Sequence, residues 1–195
     1  RLADIDNDGD LDLFVSVLYD PSVPQSLMFY ENQGSNANAN HKKITEDYLN
    51  TLDVGNNSHP VFVDIDGDGD KDLFIGSLKN PLGYVYYFKS IGTAASPVFE
   101  LFTDNFAGIS GDLSVVPTFG DIDGDDDFDL LIGTFDGKIS LYRNTGTKFN
   151  PIFSFEGLLT DILTNTIDVG TSSVPLLFDN DNDGDLDLTI GSFNG

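Results

Sequence analysis

A chain of 195 residues that is 39% hydrophobic, with 16 Phe and 7 Tyr, has enough apolar material for a packed core and does not read as a disordered segment. Its formal charge of −24, with only 9 Lys and Arg, argues against nucleic acid as a partner, since little is available to neutralise a phosphate backbone. There is no Cys, hence no disulfide frame and no thiolate metal site, and no apolar run approaches the roughly 20 residues that span a bilayer, so no membrane insertion is expected.

The chain begins at Arg1 rather than Met and is expected to be a piece of something longer. Its first motif, DIDNDGDLDLFV (4–15), sets aspartates at alternate positions directly before an apolar run. The motif returns as DIDGDGDKDLFI from Asp64, DIDGDDDFDLLI from Asp121 and DNDNDGDLDLTI from Asp179, at spacings of 60, 57 and 58 residues. A fixed period of this size marks a repeat architecture, in which each unit buries its faces against its neighbours. One array over 1–195 is expected, with repeats at about 1–59 (its first strand truncated), 60–116, 117–174 and 175–195 (partial). The four loops hold 21 of the 33 acidic residues, leaving 12 to set against the 9 Lys and Arg, so the acidity belongs to the loops.

Between the first two motifs, GSNANANHKK (34–43) is a polar excursion, a binding loop or a tolerated insertion. Asn56-Asn57-Ser58 is a glycosylation sequon, expected in an exposed connector. In the second repeat PVFVD (60–64), DLFIGS (72–77), YVYYFK (84–89) and PVFELF (97–102) are four β-rich runs separated by turn chemistry, one antiparallel sheet. YVYYF reads as sheet core rather than as a platform for sugars. The third repeat follows suit with PTFGD, DLLIGTF, KISLYRN and PIFSFEG. Its Asp136-Gly137 predicts a two-residue type I′ hairpin, and Asn194-Gly195 holds the same place in the fourth repeat. Several runs are apolar at successive positions and need cover on both faces. The fold class is therefore all-β: four-stranded antiparallel blades of the β-propeller type, in an incomplete ring or an open repeat array. The strand near 186–192 is left with an apolar edge that invites association.

Five carboxylates crowded into one turn repel each other unless a cation is present. Hard divalent cations take oxygen ligands, and calcium accepts six to eight at flexible geometry, whereas magnesium prefers fewer protein ligands. With side chains at loop positions 1, 3, 5 and 9, the expected ligands are Asp4, Asp6, Asp8 and Asp12; Asp64, Asp66, Asp68 and Asp72; Asp121, Asp123, Asp125 and Asp129; and Asp179, Asp181, Asp183 and Asp187. Position 7 (Asp10, Asp70, Asp127, Asp185) mainly offers its carbonyl, and position 6 is Gly9, Gly69 and Gly184, where the chain turns sharply. The third loop has Asp126 there and is expected to be the weakest or most strained site. An EF-hand is excluded, because position 12 is Val15, Ile75, Ile132 or Ile190 rather than a bidentate Glu. About four calcium ions are expected, each contributing about 1.4 kcal/mol at tenfold excess over its dissociation constant, a structural role.

The four DxDxDGDxD-type loops, each followed by DLxIG or DLFVS, resemble the FG-GAP and VCBS repeats, including the calcium-binding blades of integrin α-subunit propellers. NTGT (144–147), with Pro151 and Phe153 downstream, is similar to the bacterial secreted form of that repeat. The resemblance implies propeller blades, calcium in the hairpin between first and second strands, and a place outside the cytoplasm or at the cell surface, in adhesion or as an accessory module. Asp126 and the number of blades depart from the pattern. His41 and His59 lie beside no nucleophile, and no phosphate-cradling loop or zinc constellation occurs, so the expectation is a non-catalytic module that recognises an extracellular protein or glycan. The alternative is a protomer that assembles end to end with further copies of itself, into a fibre or a ring.

Overall fold

The computed structural model describes residues 1–16, 27–49, 52–79, 81–110 and 113–193. The first three repeats each form a four-stranded antiparallel sheet in sequential order. Sheet one comprises β1 (Leu2–Ala3), β2 (Asp12–Ser16), β3 (Leu27–Asn32) and β4 (His41–Thr45). Sheet two comprises β5 (Asn56–Val63), β6 (Asp72–Lys79), β7 (Leu82–Ser90) and β8 (Phe99–Thr103). Sheet three comprises β9 (Val115–Gly120), β10 (Asp129–Thr134), β11 (Ile139–Asn144) and β12 (Phe153–Leu158), and β13 (Val174–Phe178) pairs with β14 (Asp187–Gly191) in the fourth. The sheets form an open series, an incomplete propeller-like array.

Their successive apolar residues explain the stacking. Every residue from Asp72 to Ser77 in β6, and from Asp129 to Thr134 in β10, is buried, because each of these second strands is covered on both faces. Phe14, Phe62, Leu73 and Ile75 belong to the core between sheets one and two; Phe74, Val115, Leu130 and Ile132 to that between two and three; and Leu131, Ile139 and Leu177 to that between three and four. Each fully buried Leu, Ile or Phe contributes about 1.5–3 kcal/mol. Ring pairs cross the interfaces, Phe14 with Phe62 at 4.4 Å and Phe74 with Phe119 at 4.6 Å between centroids. Val85, Tyr86, Tyr87 and Phe88 are core, as expected of YVYYF.

The glycine of DLxIG is explained by the neighbouring blade. A Cβ on Gly133 would stand 2.2 Å from the Ser173 carbonyl oxygen and 2.5 Å from Pro175 Cδ, and one on Gly76 would meet Val115 O and Pro117 in the same way. In sheets three and four the start of the first strand thus lies directly on the bare backbone of the second strand before it.

Two local expectations change. Asp136-Gly137 is not a two-residue type I′ hairpin: Gly137 N–H bonds Thr134 O at 3.2 Å and Thr134 N–H bonds Lys138 O at 3.1 Å, so Phe135, Asp136 and Gly137 form a three-residue loop. Only its glycine has positive φ, at 84°, the arrangement of a type I turn closed by a left-handed residue. The sequon lies in β5 rather than in an exposed connector, with Ser58 buried and Asn57 Nδ2 3.4 Å from Ser114 Oγ. The turn expected at Asn194-Gly195 falls outside the described residues.

Candidate metal centre

Each acidic loop joins the first and second strands of its sheet, and its backbone organises its own carboxylates. Position 5 accepts the N–H of position 7 in all four loops: Asp10 N to Asp8 Oδ1 at 3.0 Å, Asp70 to Asp68 at 3.0 Å, Asp127 to Asp125 at 3.1 Å and Asp185 to Asp183 at 3.2 Å. Position 1 accepts the N–H groups of positions 5 and 6 through both oxygens in three loops, as in Asp68 N to Asp64 Oδ1 (3.1 Å) and Gly69 N to Asp64 Oδ2 (3.0 Å). These charge-assisted bonds fix the loop before any ion arrives.

The turn needs left-handed backbone twice. At position 6, Gly9, Gly69 and Gly184 have φ of 92°, 94° and 99°, and Asp126 is held at 68°. Position 4 is left-handed too, at Asn7, Gly67, Gly124 and Asn182. The sequence signal for this second site was present, since only Asn and Gly occur there, the residues that enter this region most readily.

Carboxylate oxygens of Asp4, Asp6 and Asp8 lie within 4.8 Å of one another, as do those of Asp64, Asp66 and Asp68; of Asp121, Asp123 and Asp125; and of Asp179, Asp181 and Asp187. Two oxygens on opposite sides of one calcium ion, each at 2.3–2.6 Å, are about 5 Å apart, so each trio fits a single coordination sphere. Asp4 Oδ1, Asp6 Oδ1 and Asp66 Oδ1 are buried without a hydrogen-bond partner, as are Asp10 Oδ1 and Asp127 Oδ1 at position 7. A buried carboxylate oxygen without a donor is costly; a cation removes that cost. Burial, reinforced by neighbouring carboxylates, raises the Asp6 and Asp10 carboxyls above the ordinary range, and burial raises Asp127 as well.

Position 9 has a second occupation. Asp12, Asp72 and Asp129 are buried and their Oδ1 atoms accept the backbone N–H groups of Asn32 (2.8 Å), Ser90 (2.7 Å) and Asn144 (2.9 Å) at the ends of the third strands. Burial pushes the Asp72 carboxyl up to about 6. Asp187 is exposed, bonds Asn180 N–H at 3.0 Å, and joins the carboxylate trio of its own loop, whereas Asp183 does not. Asn32 and Asn144 extend the bracket: their Oδ1 atoms accept Gly34 N (3.1 Å) and Asn40 N (2.8 Å), and Gly146 N (3.0 Å) and Ile152 N (2.8 Å). This is the physical content of NTGT. Ser90 stands in the same place in sheet two, and its Oγ is buried without a partner.

The polar excursion at 34–43 clasps the first loop, with Asn36 Nδ2 donating to Gly9 O at 2.7 Å and Asn36 Oδ1 accepting Leu11 N–H at 2.9 Å. His41 Nε2 lies 3.2 Å from Leu11 O. His59 lies far from the loops, in a cavity of about 680 Å³ bounded by Leu78, Val116, Phe135 and Val174.

With this geometry in hand, comparison with protein families gives one result: residues 4–75 match the family model described as FG-GAP-like repeat. This match and the repeated four-stranded antiparallel sheets fit FG-GAP-like repeats. The matched stretch contains the first two acidic loops, and the third and fourth repeat the same hydrogen-bond pattern beyond it. Comparison with curated proteins and with solved structures gives no match. Among the described residues no helix is long and apolar enough to cross a membrane.

Proposed function

We propose that the chain is a calcium-stabilised, non-catalytic repeat module of an extracellular or cell-surface protein, which presents its blades to a protein or glycan partner. The observation that carries the calcium reading is the fourfold recurrence of a carboxylate trio within 4.8 Å. Asp4, Asp6 and Asp8, their counterparts in the second and third loops, and Asp179, Asp181 and Asp187 in the fourth would hold the ion, with position 9 close by on the second strand in the first three. When bound, calcium supplies the positive charge that lets these carboxylates share one turn. The residues themselves tie first strand to second, and through Asp12, Asp72 and Asp129 tie both to the third. The FG-GAP-like match supports the extracellular setting.

A second reading, end-to-end assembly, is favoured by the β13–β14 sheet. Leu176 and Phe178 there, which alternate with the inward Leu177, are each more than a third exposed, an apolar face that another copy of the chain would cover. Thermal unfolding in chelator, calcium and magnesium, with the mass followed by light scattering, tests both. A calcium-specific rise in melting temperature with a monomeric mass supports the module; filaments or rings support assembly; no response to calcium removes the calcium reading.

A further inference from the structure

We infer that one residue on the third strand of each blade, Glu31, Lys89 or Arg143, sets how tightly the loop of that blade holds its divalent ion, by supplying or withholding a built-in cation. The three positions are equivalent. Each immediately precedes the bracket residue Asn32, Ser90 or Asn144, and each follows the register shift between third and fourth strands, at Phe29/Tyr30, Tyr87/Phe88 and Leu141/Tyr142. The inference rests on the calcium reading and adds what that reading lacks, a reason for the first three sites to differ.

In the second loop Lys89 Nζ pairs with Asp66, a member of the carboxylate trio, and lies 4.0 Å from Asp68 Oδ2. In the third, Arg143 Nη1 lies 3.2 Å from Asp123 Oδ2 and also pairs with Asp129, while its Nε is anchored 3.0 Å from Glu156 Oε2. The first blade has Glu31 instead, occupied with Gln33 Nε2 at 2.7 Å. Among the described residues no ion pair reaches a first-loop carboxylate; Lys71 donates to the backbone carbonyl of Asp4. The fourth loop likewise has no ion pair among the described residues.

A side-chain cation touching the trio does part of the metal's work. It relieves carboxylate repulsion in the ion-free loop, and it repels a divalent ion that enters beside it. The two effects have opposite signs, which makes the device recognisable. Lys89 has a flexible stem and can swing toward solvent when the ion binds, whereas Arg143 is held by Glu156 and Asp129. Among the three loops that face a third strand, the first therefore binds calcium most tightly, the second less so, and the third most weakly.

The test uses the full chain, with calorimetric calcium titration and thermal unfolding in chelator on Lys89→Gln, Arg143→Gln and Glu31→Lys. The first two variants are expected to tighten one class of sites by about tenfold, about 1.4 kcal/mol, and to lower the melting temperature in chelator. Glu31→Lys is expected to loosen the tightest class and raise that temperature. Arg143→Lys, which keeps the charge but loses the anchor to Glu156, provides a milder variant if Arg143→Gln does not fold, and should move binding toward that of the second loop. Variants that change neither quantity, or Lys89→Gln weakening both together as an ordinary structural contact would, overturn the inference while leaving the calcium reading intact. A wild-type chain that folds but takes up no calcium overturns the calcium reading itself, and this inference with it.

Discussion

Ser90 offers a substitution whose magnitude follows from its two sister positions. In sheets one and three the Asn at this place makes two side-chain hydrogen bonds to backbone N–H groups of the turn that follows, at 2.8–3.1 Å. The turn in sheet two has the same backbone, since Ile91 N–H bonds Val98 O at 2.8 Å as Thr145 N–H bonds Ile152 O at 2.8 Å. Ser90 cannot span to the corresponding amides of Gly92 and Val98, and its own hydroxyl is buried without a partner. Ser90→Asn is therefore expected to add two hydrogen bonds of about 1 kcal/mol each, while the unsatisfied hydroxyl is exchanged for an amide nitrogen that, like Asn32 Nδ2 and Asn144 Nδ2, is buried without a partner. Against this stands the ordering of a longer side chain at about 1 kcal/mol, for a net gain of about 1 kcal/mol. At about 2–4 °C per kcal/mol for a chain of this size, the melting temperature should rise by about 2–4 °C, with or without calcium. Asn144→Ser in sheet three should lower it by a similar amount. Differential scanning calorimetry in chelator measures both; a neutral or destabilising Ser90→Asn would refute the bracket as a source of stability.

Three further predictions concern other parts of the fold. Gly133→Ala should cost about 3 kcal/mol, because its Cβ meets the Ser173 carbonyl at 2.2 Å, whereas Gly191→Ala at the same motif position, with Val174 Cβ at 3.7 Å, should change stability by no more than about 0.5 kcal/mol. Equal effects in urea unfolding would remove the close-approach explanation of DLxIG. Burial, with Arg1 nearby, holds His59 at about 4. The unfolded chain, titrating near 6.5, then takes up the proton first, so stability present above about pH 6.5 is lost by about 2–3 kcal/mol as pH falls toward 4. Carboxylates such as Asp72, raised to about 6, act in the opposite direction, so the difference between wild type and His59→Asn isolates the effect; a difference independent of pH would contradict it. Asp126→Gly should exceed Asp126→Asn in stability by about 1 kcal/mol, since both remove the charge and glycine accepts positive φ most freely. The ion-free loop already holds Asp126 at φ 68°, so the gain falls mainly on folding, and equal unfolding midpoints would remove the strain argument.

The strands were legible because burial on both faces leaves runs such as DLFI and DLLI, and the loops because aspartates at alternate positions recur at a fixed period. What sequence spacing hid lies across the sheet. Asp12, Asp72 and Asp129 read as ligands alone, yet they also grip backbone 15 to 20 residues downstream, a partner that only strand pairing brings near. Asn36 looked like part of an insertion and is a clasp on Gly9 and Leu11 for the same reason. The Asp136-Gly137 turn was misread by one residue, because Phe135 belongs to the loop and a single left-handed glycine closes it. The ion pairs of Lys89 and Arg143 with their loops depend on third-strand register, which the acidic motif itself does not encode.

The most direct test of the account is the number of calcium ions bound per chain, counted by native mass spectrometry of chelator-stripped protein on addition of calcium, with magnesium at equal concentration as control. Four carboxylate trios predict uptake approaching four calcium ions, with magnesium failing to substitute. A folded chain that takes up no calcium, or takes up magnesium equally well, would contradict it.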